Sequence, residues 1–126
     1  MNPFGHIDLR VPDLAVALPF YEQLLPALGF TRSFHSADWR VFAAAGDLPD
    51  AAYFALTEDP TQQPNANLIG FWAADRAAVD RLAALITAAG GTITAGPQAF
   101  PISPTYYAVY FSDPCGNPYE ITYRVN

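Results

Sequence analysis

The order of secondary-structure signals repeats once along the chain, and this repetition constrains the fold more than any other feature. A strand pattern, a helix pattern and three further strand patterns are followed by a polar segment, after which the same order begins again. A period of about 55–60 residues indicates a duplicated structural unit. A single βαβββ unit has a half-covered sheet that must pair with something. We therefore predict an α+β fold, in which two units form a curved, mostly antiparallel eight-stranded sheet with helices on its convex face and a cleft inside.

The first repeat is predicted to span residues 3–58. Strict alternation over 6–11 predicts a half-buried strand, and apolar residues recur at helical spacing over 14–28 after the capping residue Asp13. Pro19 predicts a kink or a restart inside this helix, because proline removes a backbone donor. The helix is predicted to end near residue 26, three strands are predicted over 30–36, 39–45 and 52–57, and a turn is predicted over 46–50.

The second repeat is predicted to span residues 67–126, after a linker over 59–66 that contains two prolines. Both repeats belong to one domain, 1–126. The elements predicted here are a strand over 67–73, a helix over 76–89 capped by Asp75, a strand over 92–95, a proline-rich loop over 96–105 and two closing strands.

The two closing strands flank a tight turn that presents one carboxylate. Residues 113–117 read Asp-Pro-Cys-Gly-Asn, a composition typical of turns because proline fixes φ and Gly and Asn tolerate positive φ. Glu120 follows in a strand that is otherwise apolar and aromatic. Glu120 is therefore a candidate functional residue, although a Glu in a closing strand is usually just solvated.

Composition excludes several functional classes. The net charge is −6, with six Arg and no Lys, and basic residues do not cluster, so we expect no nucleic-acid partner. No apolar run reaches the roughly 18 residues of a membrane span, and no signal-peptide pattern follows Met1, which predicts a cytoplasmic protein without a membrane partner. The single Cys115 excludes an internal disulfide.

Short segments spread over the whole chain carry a resemblance to a known superfamily. They lie at 5–11, 20–30, 67–71, 75–79, 88–91 and 106–120. In this order they resemble the vicinal oxygen chelate superfamily, which includes glyoxalase I, bleomycin-resistance proteins, extradiol dioxygenases and fosfomycin-resistance enzymes. Because function varies widely in this superfamily, the resemblance implies the architecture and the place of the site better than the chemistry.

The resemblance also implies where metal ligands would lie, namely on the first and last strands of each repeat. His6 and Glu120 match two of these four positions. Leu68 occupies the expected third position and cannot coordinate an ion, and the fourth falls on strand 52–57, which has no His, Asp or Glu. Catalytic divalent sites usually take three protein ligands. The sequence therefore predicts a degenerate site, in which a Zn, Ni, Mn or Fe ion would need a further group.

The remaining residues predicted for the cleft are mostly aromatic, as in many small-molecule sites. The candidates for substrate binding are Arg10, Trp39, Tyr53, Trp72, Tyr107 and Tyr110. Two functions stay open: binding of a small organic ligand in an aromatic cleft, or a divalent-metal-dependent lyase, isomerase or ring-cleaving dioxygenase with His6 and Glu120 as ligands. In a metal-free enzyme Glu120 would be the catalytic base. The resemblance further implies a homodimer.

Overall fold

The chain folds as two βαβββ units, each with one helix and one four-stranded sheet. The computed structural model describes residues 3–36, 38–46 and 51–125. Two compact units divide the chain, Met1–Gln63 and Pro64–Asn126, and the division falls inside the segment predicted as a linker. The α+β class and the duplicated element order predicted from the sequence are confirmed.

The N-terminal unit orders its strands β1-β4-β3-β2. Its elements are β1 (His6–Val11), α1 (Leu14–Ala27), β2 (Arg32–Ser36), β3 (Trp39–Ala43) and β4 (Tyr53–Glu58). Strand β1 runs parallel to β4, whereas the other two pairings are antiparallel. Most of the turn predicted over 46–50 lies outside the described residues.

Helix α1 continues through Pro19 as a single element and ends at Ala27, so the predicted restart near Pro19 does not occur. The side chain of Asp13 caps the helix by accepting from the backbone N–H of Val16 at 3.3 Å. Five side chains bury one stripe of the helix: Ala17, Phe20, Tyr21, Leu24 and Leu25. This burial offsets the hydrogen bond that proline removes.

The C-terminal unit repeats the arrangement, with strand order β5-β8-β7-β6 and a parallel β5–β8 pair. Its elements are β5 (Ile69–Trp72), α2 (Arg76–Ala88), β6 (Thr92–Ala99), β7 (Tyr107–Ser112) and β8 (Pro118–Tyr123). Asp75 caps α2 by accepting from the backbone N–H of Ala78 at 2.7 Å.

Strand β6 is longer than predicted, because it continues to Ala99 where the sequence indicated a loop from Gly96. The pairing of β6 with β7 shifts register between Ala95 and Gln98. Gly96 has φ +79°, and a Cβ at this position would collide with the carbonyl oxygen of Ala108. Glycine at this irregularity lets the strand resume after the shift.

The turn between β7 and β8 is organised by Asp113, which is buried at 3% exposure. Its carboxylate accepts from the backbone N–H groups of Cys115 and Asn117, at 2.9 and 2.8 Å, and from the side-chain amide of Asn117 at 2.9 Å. Gly116 supplies the positive φ of +94° that the turn requires. These bonds fix where β8 begins and therefore where Glu120 lies along the sheet.

In each unit the helix covers one face of its sheet. In the N-terminal unit the ring of Tyr21 on α1 stacks with Phe54 of β4 at 6.1 Å. In the C-terminal unit Tyr119 of β8 is fully buried and stacks with Phe71 and Phe111. Because strand residues alternate between faces, the neighbours of Phe54 and Tyr119 in sequence point away from the helices.

Candidate functional site

Glu120 lies near the middle of β8, on the sheet face opposite α2. In the sheet register it pairs with Gly70 of β5 on one side and with Tyr110 of β7 on the other. These three residues form a row across one face of the sheet. We call this surface the Glu120 face; its members are Gly70, Trp72, Ala108, Tyr110, Glu120 and Thr122.

Two tyrosine hydroxyls hold the carboxylate of Glu120. The hydroxyl of Tyr106 donates to Oε2 of Glu120 and accepts from Oγ1 of Thr122 at 3.1 Å. Tyr110 makes side-chain hydrogen bonds with both Glu120 and Tyr106. Tyr106 and Thr122 are buried, whereas Glu120 and Tyr110 are partly exposed. The four side chains form one connected polar network in an aromatic setting.

The network raises the pKa of Tyr110. Burial raises the pKa of Tyr110 well above its ordinary value of about 10, and the hydrogen bonds to Glu120 and Tyr106 and the negative charge of Glu120 raise it further. At neutral pH the carboxylate is therefore held by an uncharged phenol. Neither hydroxyl of the network supplies a positive charge to balance Glu120.

The β5 edge of this face is accessible. Gly70 is exposed, and a Cβ added there would stand 3.4 Å from Oε1 of Glu120. Two residues on, Trp72 is 67% exposed, and the guanidinium of Arg124 lies over its ring at 4.7 Å from the centroid. The absent side chain at Gly70 and the exposed indole leave room for a molecule beside the carboxylate.

Tyr107 lies on the opposite face, although the sequence suggested it for substrate binding. Its hydroxyl donates to Oδ1 of Asp80 on α2 at 2.7 Å, and Arg76 lies over its ring. The hydrogen bond to Asp80 raises the pKa of Tyr107. Of the candidates in this unit, Trp72 and Tyr110 therefore share a face with Glu120, whereas Tyr107 does not.

The N-terminal candidates occupy the corresponding face of their own sheet, opposite α1. The ring of His6 stacks on Tyr53 at 4.6 Å with an interplanar angle of 3°. Asp8 accepts a hydrogen bond of 2.9 Å from Thr57 and lies 3.8 Å from the guanidinium of Arg10. We call this surface the His6 face. Its members include His6, Arg10 and Tyr53. The carboxylate on this face, that of Asp8, lies beside the guanidinium of Arg10.

Trp39 has the same face parity as Tyr53 but lies at the far end of its strand. It also borders a groove of about 340 Å³ between the start of α1 and the ends of the strands. The groove is lined by Leu14, Ala15, Leu18, His35, Ser36, Trp39, Arg40 and Glu58. Glu58 accepts from the backbone N–H of Leu14 at 3.0 Å, so it assists in capping α1.

Comparison with known proteins decides the family. The model of the Glyoxalase/Bleomycin resistance protein/Dioxygenase superfamily matches residues 4–121. The chain belongs to this superfamily. A glyoxalase/bleomycin resistance protein from Albidiferax ferrireducens is 28% identical, with a TM-score of 0.78 and coverage of 97% of this chain and 98% of that one. No curated protein matched the sequence.

More distant superfamily members share the fold. A glyoxalase/dioxygenase from Nostoc punctiforme is 23% identical, with a TM-score of 0.71 over 99% of this chain and 92% of that one. A mutant of the fosfomycin resistance protein FosX from Listeria monocytogenes is 22% identical, with a TM-score of 0.69 over 96% and 89% of the two chains. That FosX structure holds Mn(II) and dihydroxypropylphosphonic acid.

The side chains hydrogen-bonded in the Glu120 network carry hydroxyl groups, and none of them is a further His, Asp or Glu. Oε2 accepts from Tyr106, and the other side chains of the network are a second phenol and a threonine hydroxyl. Leu68, which is 49% exposed, offers no donor atom. Within 3–36, 38–46 and 51–125, no three His, Cys, Asp or Glu side chains come together. A catalytic divalent ion usually takes three protein ligands, which is more than the described His, Cys, Asp and Glu side chains bring together around Glu120.

The sequence-based site omitted Tyr106 and Thr122, which the structure joins to Glu120. The sequence contained a signal for both residues. Alternation places Thr122 on the same face as Glu120, two residues away, and places Tyr106 on the same face as Tyr110, four residues away. The turn over 113–117 already indicated that β7 pairs with β8. What the sequence did not contain was the pairing of β8 with β5, which brings Gly70 beside Glu120.

In the described residues, no helix is long and apolar enough to cross a membrane.

Proposed function

We propose that this superfamily member binds a small organic molecule on the Glu120 face. The observation that carries the proposal is a carboxylate held by two phenols beside an exposed indole and a glycine. Ligand sites are usually apolar and aromatic surfaces with a few fixed polar groups. Because its side chain is already oriented by Tyr106 and Tyr110, Glu120 loses little conformational freedom on binding.

A binding role requires only an oriented carboxylate and an apolar surface, and the Glu120 face has both. Tyr106, Tyr110 and Thr122 orient the carboxylate, and Trp72 provides a planar surface for stacking. None of these contributions requires an ion or a nucleophile. The homodimer implied by the family resemblance remains part of the proposal, and light scattering during size-exclusion chromatography would test it.

Protein-observed NMR with a library of aromatic and heteroaromatic fragments tests this function. The chain has two Trp residues, so two indole N–H signals report on two places. We expect binding fragments to shift the indole signal of Trp72 and the amide signals of Gly70 and Glu120, while the Trp39 indole serves as an internal control. Glu120→Gln should weaken binding, and Tyr107→Phe, on the face that α2 covers, should not.

Two outcomes would count against the proposal. One is a library screen in which no fragment shifts the Trp72 and Gly70 signals. The other is stoichiometric Zn, Ni, Mn or Fe in protein purified without chelator, lost in both the His6→Ala and Glu120→Gln variants. The second result would favour a metal-dependent lyase, isomerase or dioxygenase instead.

A further inference from the structure

We propose that the ligand of the Glu120 face carries a protonated nitrogen, such as an amine or amidine, attached to an apolar or aromatic body. The nitrogen would donate to Glu120, approaching over Gly70, and the body would lie against Trp72. This inference rests on the proposed binding function and names the chemical class that it selects.

In the part of the chain that the structure describes, Glu120 forms no salt bridge, whereas Asp8 in the other unit lies 3.8 Å from the guanidinium of Arg10. The guanidinium of Arg124 lies over the ring of Trp72 instead of pairing with Glu120. The groups bonded to Glu120 are the hydroxyls of Tyr106 and Tyr110, and phenols are uncharged at neutral pH. A partly buried carboxylate with uncharged partners attracts a cation more strongly than one that is already paired.

The carboxylate also has unused acceptor capacity. An ionised carboxylate is an acceptor only, with about four lone-pair positions on its two oxygens. Tyr106 and Tyr110 each donate to it at most once. The remaining positions accept N–H or O–H donors, whereas an anionic ligand would meet like charge.

The approach to the carboxylate is set by Gly70. This residue pairs directly with Glu120, and its missing Cβ would stand 3.4 Å from Oε1. Any larger side chain at this position would cover that side of the carboxylate. Gly70 therefore acts as a position that determines access and specificity.

The indole of Trp72 is in contact with a cation on one side and is still 67% exposed. Arg124 lies over the ring of Trp72 at 4.7 Å, within the distance of favourable cation–π contacts. On the other side of Glu120, Tyr110 meets Phe100 edge to face at 5.2 Å. Aromatic side chains therefore occur on both strands that flank Glu120, Trp72 on β5 and Tyr110 on β7. The net charge of −6 adds a long-range attraction of the same sign.

Three probes with one ring system and different charges test the inference: tryptamine, indole and indole-3-acetate. Each is titrated into the wild-type protein by NMR at neutral pH, with the indole signal of Trp72 and the amide of Gly70 as reporters. We expect tryptamine to bind about tenfold or more tightly than the other two, because a charge-assisted hydrogen bond forms only with the amine.

Matched variants assign this preference to Glu120. Glu120→Gln should bring the three affinities together, and Gly70→Val should weaken tryptamine by covering Oε1. Asp8→Asn removes the same charge from the other unit and should leave the preference unchanged. If Glu120→Gln does not fold, the tryptamine preference is compared between Gly70→Val and Asp8→Asn. Gly70→Val should still fold because Gly70 is exposed, and only this variant should lose the preference.

The outcomes separate this inference from the function on which it rests. If indole or indole-3-acetate binds as tightly as tryptamine at the Trp72 and Gly70 reporters, the binding function stands and the charge selection is wrong. Equal loss of tryptamine preference in Asp8→Asn would also overturn it, as an effect of net charge alone. If none of the probes, and no fragment of the library, moves those reporters, both proposals are wrong.

Discussion

Each repeat places one carboxylate on its sheet, but the two carboxylates lie on non-equivalent strands. Asp8 is on the first strand of its repeat, and Glu120 is on the last strand of its repeat. Asp8 of β1 lies five residues before the capping residue Asp13, and Gly70 of β5 lies five residues before Asp75. In the first repeat the strand partner of Asp8 is Ala55, whereas in the second the partner of Gly70 is Glu120. The acidic residue and the small residue have exchanged strands.

The surroundings of the two carboxylates differ as much as their positions. Asp8 is exposed, and Thr57 and Arg10 satisfy it. Glu120 is partly buried among phenols, with a glycine beside it. A neutralised, solvated carboxylate contributes to a polar surface, while an unbalanced one in an aromatic setting is suited to recognise a ligand. Duplication therefore preserved the core and left the exposed faces free to differ.

The largest expected effect tests whether the two cores are equivalent. Phe54 and Tyr119, which occupy matching places beside Ile7 and Ile69, are almost fully buried. Replacing either by Ala should lower the free energy of unfolding by about 3–5 kcal/mol, since a large aromatic ring is lost from a packed core. Urea denaturation followed by circular dichroism measures the loss, with the exposed Ile102→Ala as control. A small loss for only one variant would contradict the equivalence.

The helix caps sharpen the comparison at a smaller scale. Asp75→Ala should cost about 1–2 kcal/mol, because the capping bond to Ala78 is short at 2.7 Å. Asp13→Ala should cost about 0.5–1 kcal/mol, since its bond is longer at 3.3 Å and Glu58 still accepts from the backbone of Leu14. Asp→Asn at either position keeps an acceptor and serves as control. The reverse order of losses would refute a supporting role for Glu58.

Alkaline pH should reduce the stability that the phenol network gives to the second repeat. The pKa of Tyr110 is raised in the folded protein, so its contribution to stability is complete below the unfolded value of about 10 and is lost as pH rises above it. We expect denaturant midpoints to fall above pH of about 10. Tyr110→Phe should remove the larger part of this dependence. Tyr107→Phe should remove a smaller part, because the pKa of Tyr107 is also raised, by its hydrogen bond to Asp80, but its hydroxyl is more exposed. An unchanged slope in Tyr110→Phe would contradict the assignment.

The last comparison is between two threonines, one on each face, and it includes the smallest expected effect, that of Thr57→Val. Thr122 is buried and donates to Tyr106, while Thr57 donates to the exposed Asp8. Thr122→Val should cost about 1–2 kcal/mol because Tyr106 loses a buried partner, and Thr57→Val only about 0.5 kcal/mol. Both variants keep the shape of the side chain, so chemical denaturation compares the hydrogen bonds directly. Equal costs would show that burial does not distinguish the two faces.

Much of the local structure was predictable because its causes are local. Strand β1 was predicted at its observed bounds, and α2 to within one residue, from alternation, helical spacing and the capping residue Asp75. The restart offered as one alternative at Pro19 does not occur, and the loop predicted from Gly96 is part of β6 up to Ala99. In both places a tertiary contact, burial of the α1 stripe or pairing with β7, outweighed the local signal of Pro or Gly.

The sequence by itself determined the duplicated element order, the two helix starts and the presence of one carboxylate in an aromatic strand. Only the tertiary structure decided that Glu120 meets Gly70, Tyr106 and Tyr110, and that Tyr107 meets α2 instead. The physical reason is that alternation assigns a residue to a face, whereas the pairing of strands distant in sequence depends on packing of the whole unit. Gly70 and Glu120 become neighbours only when β8 has paired with β5.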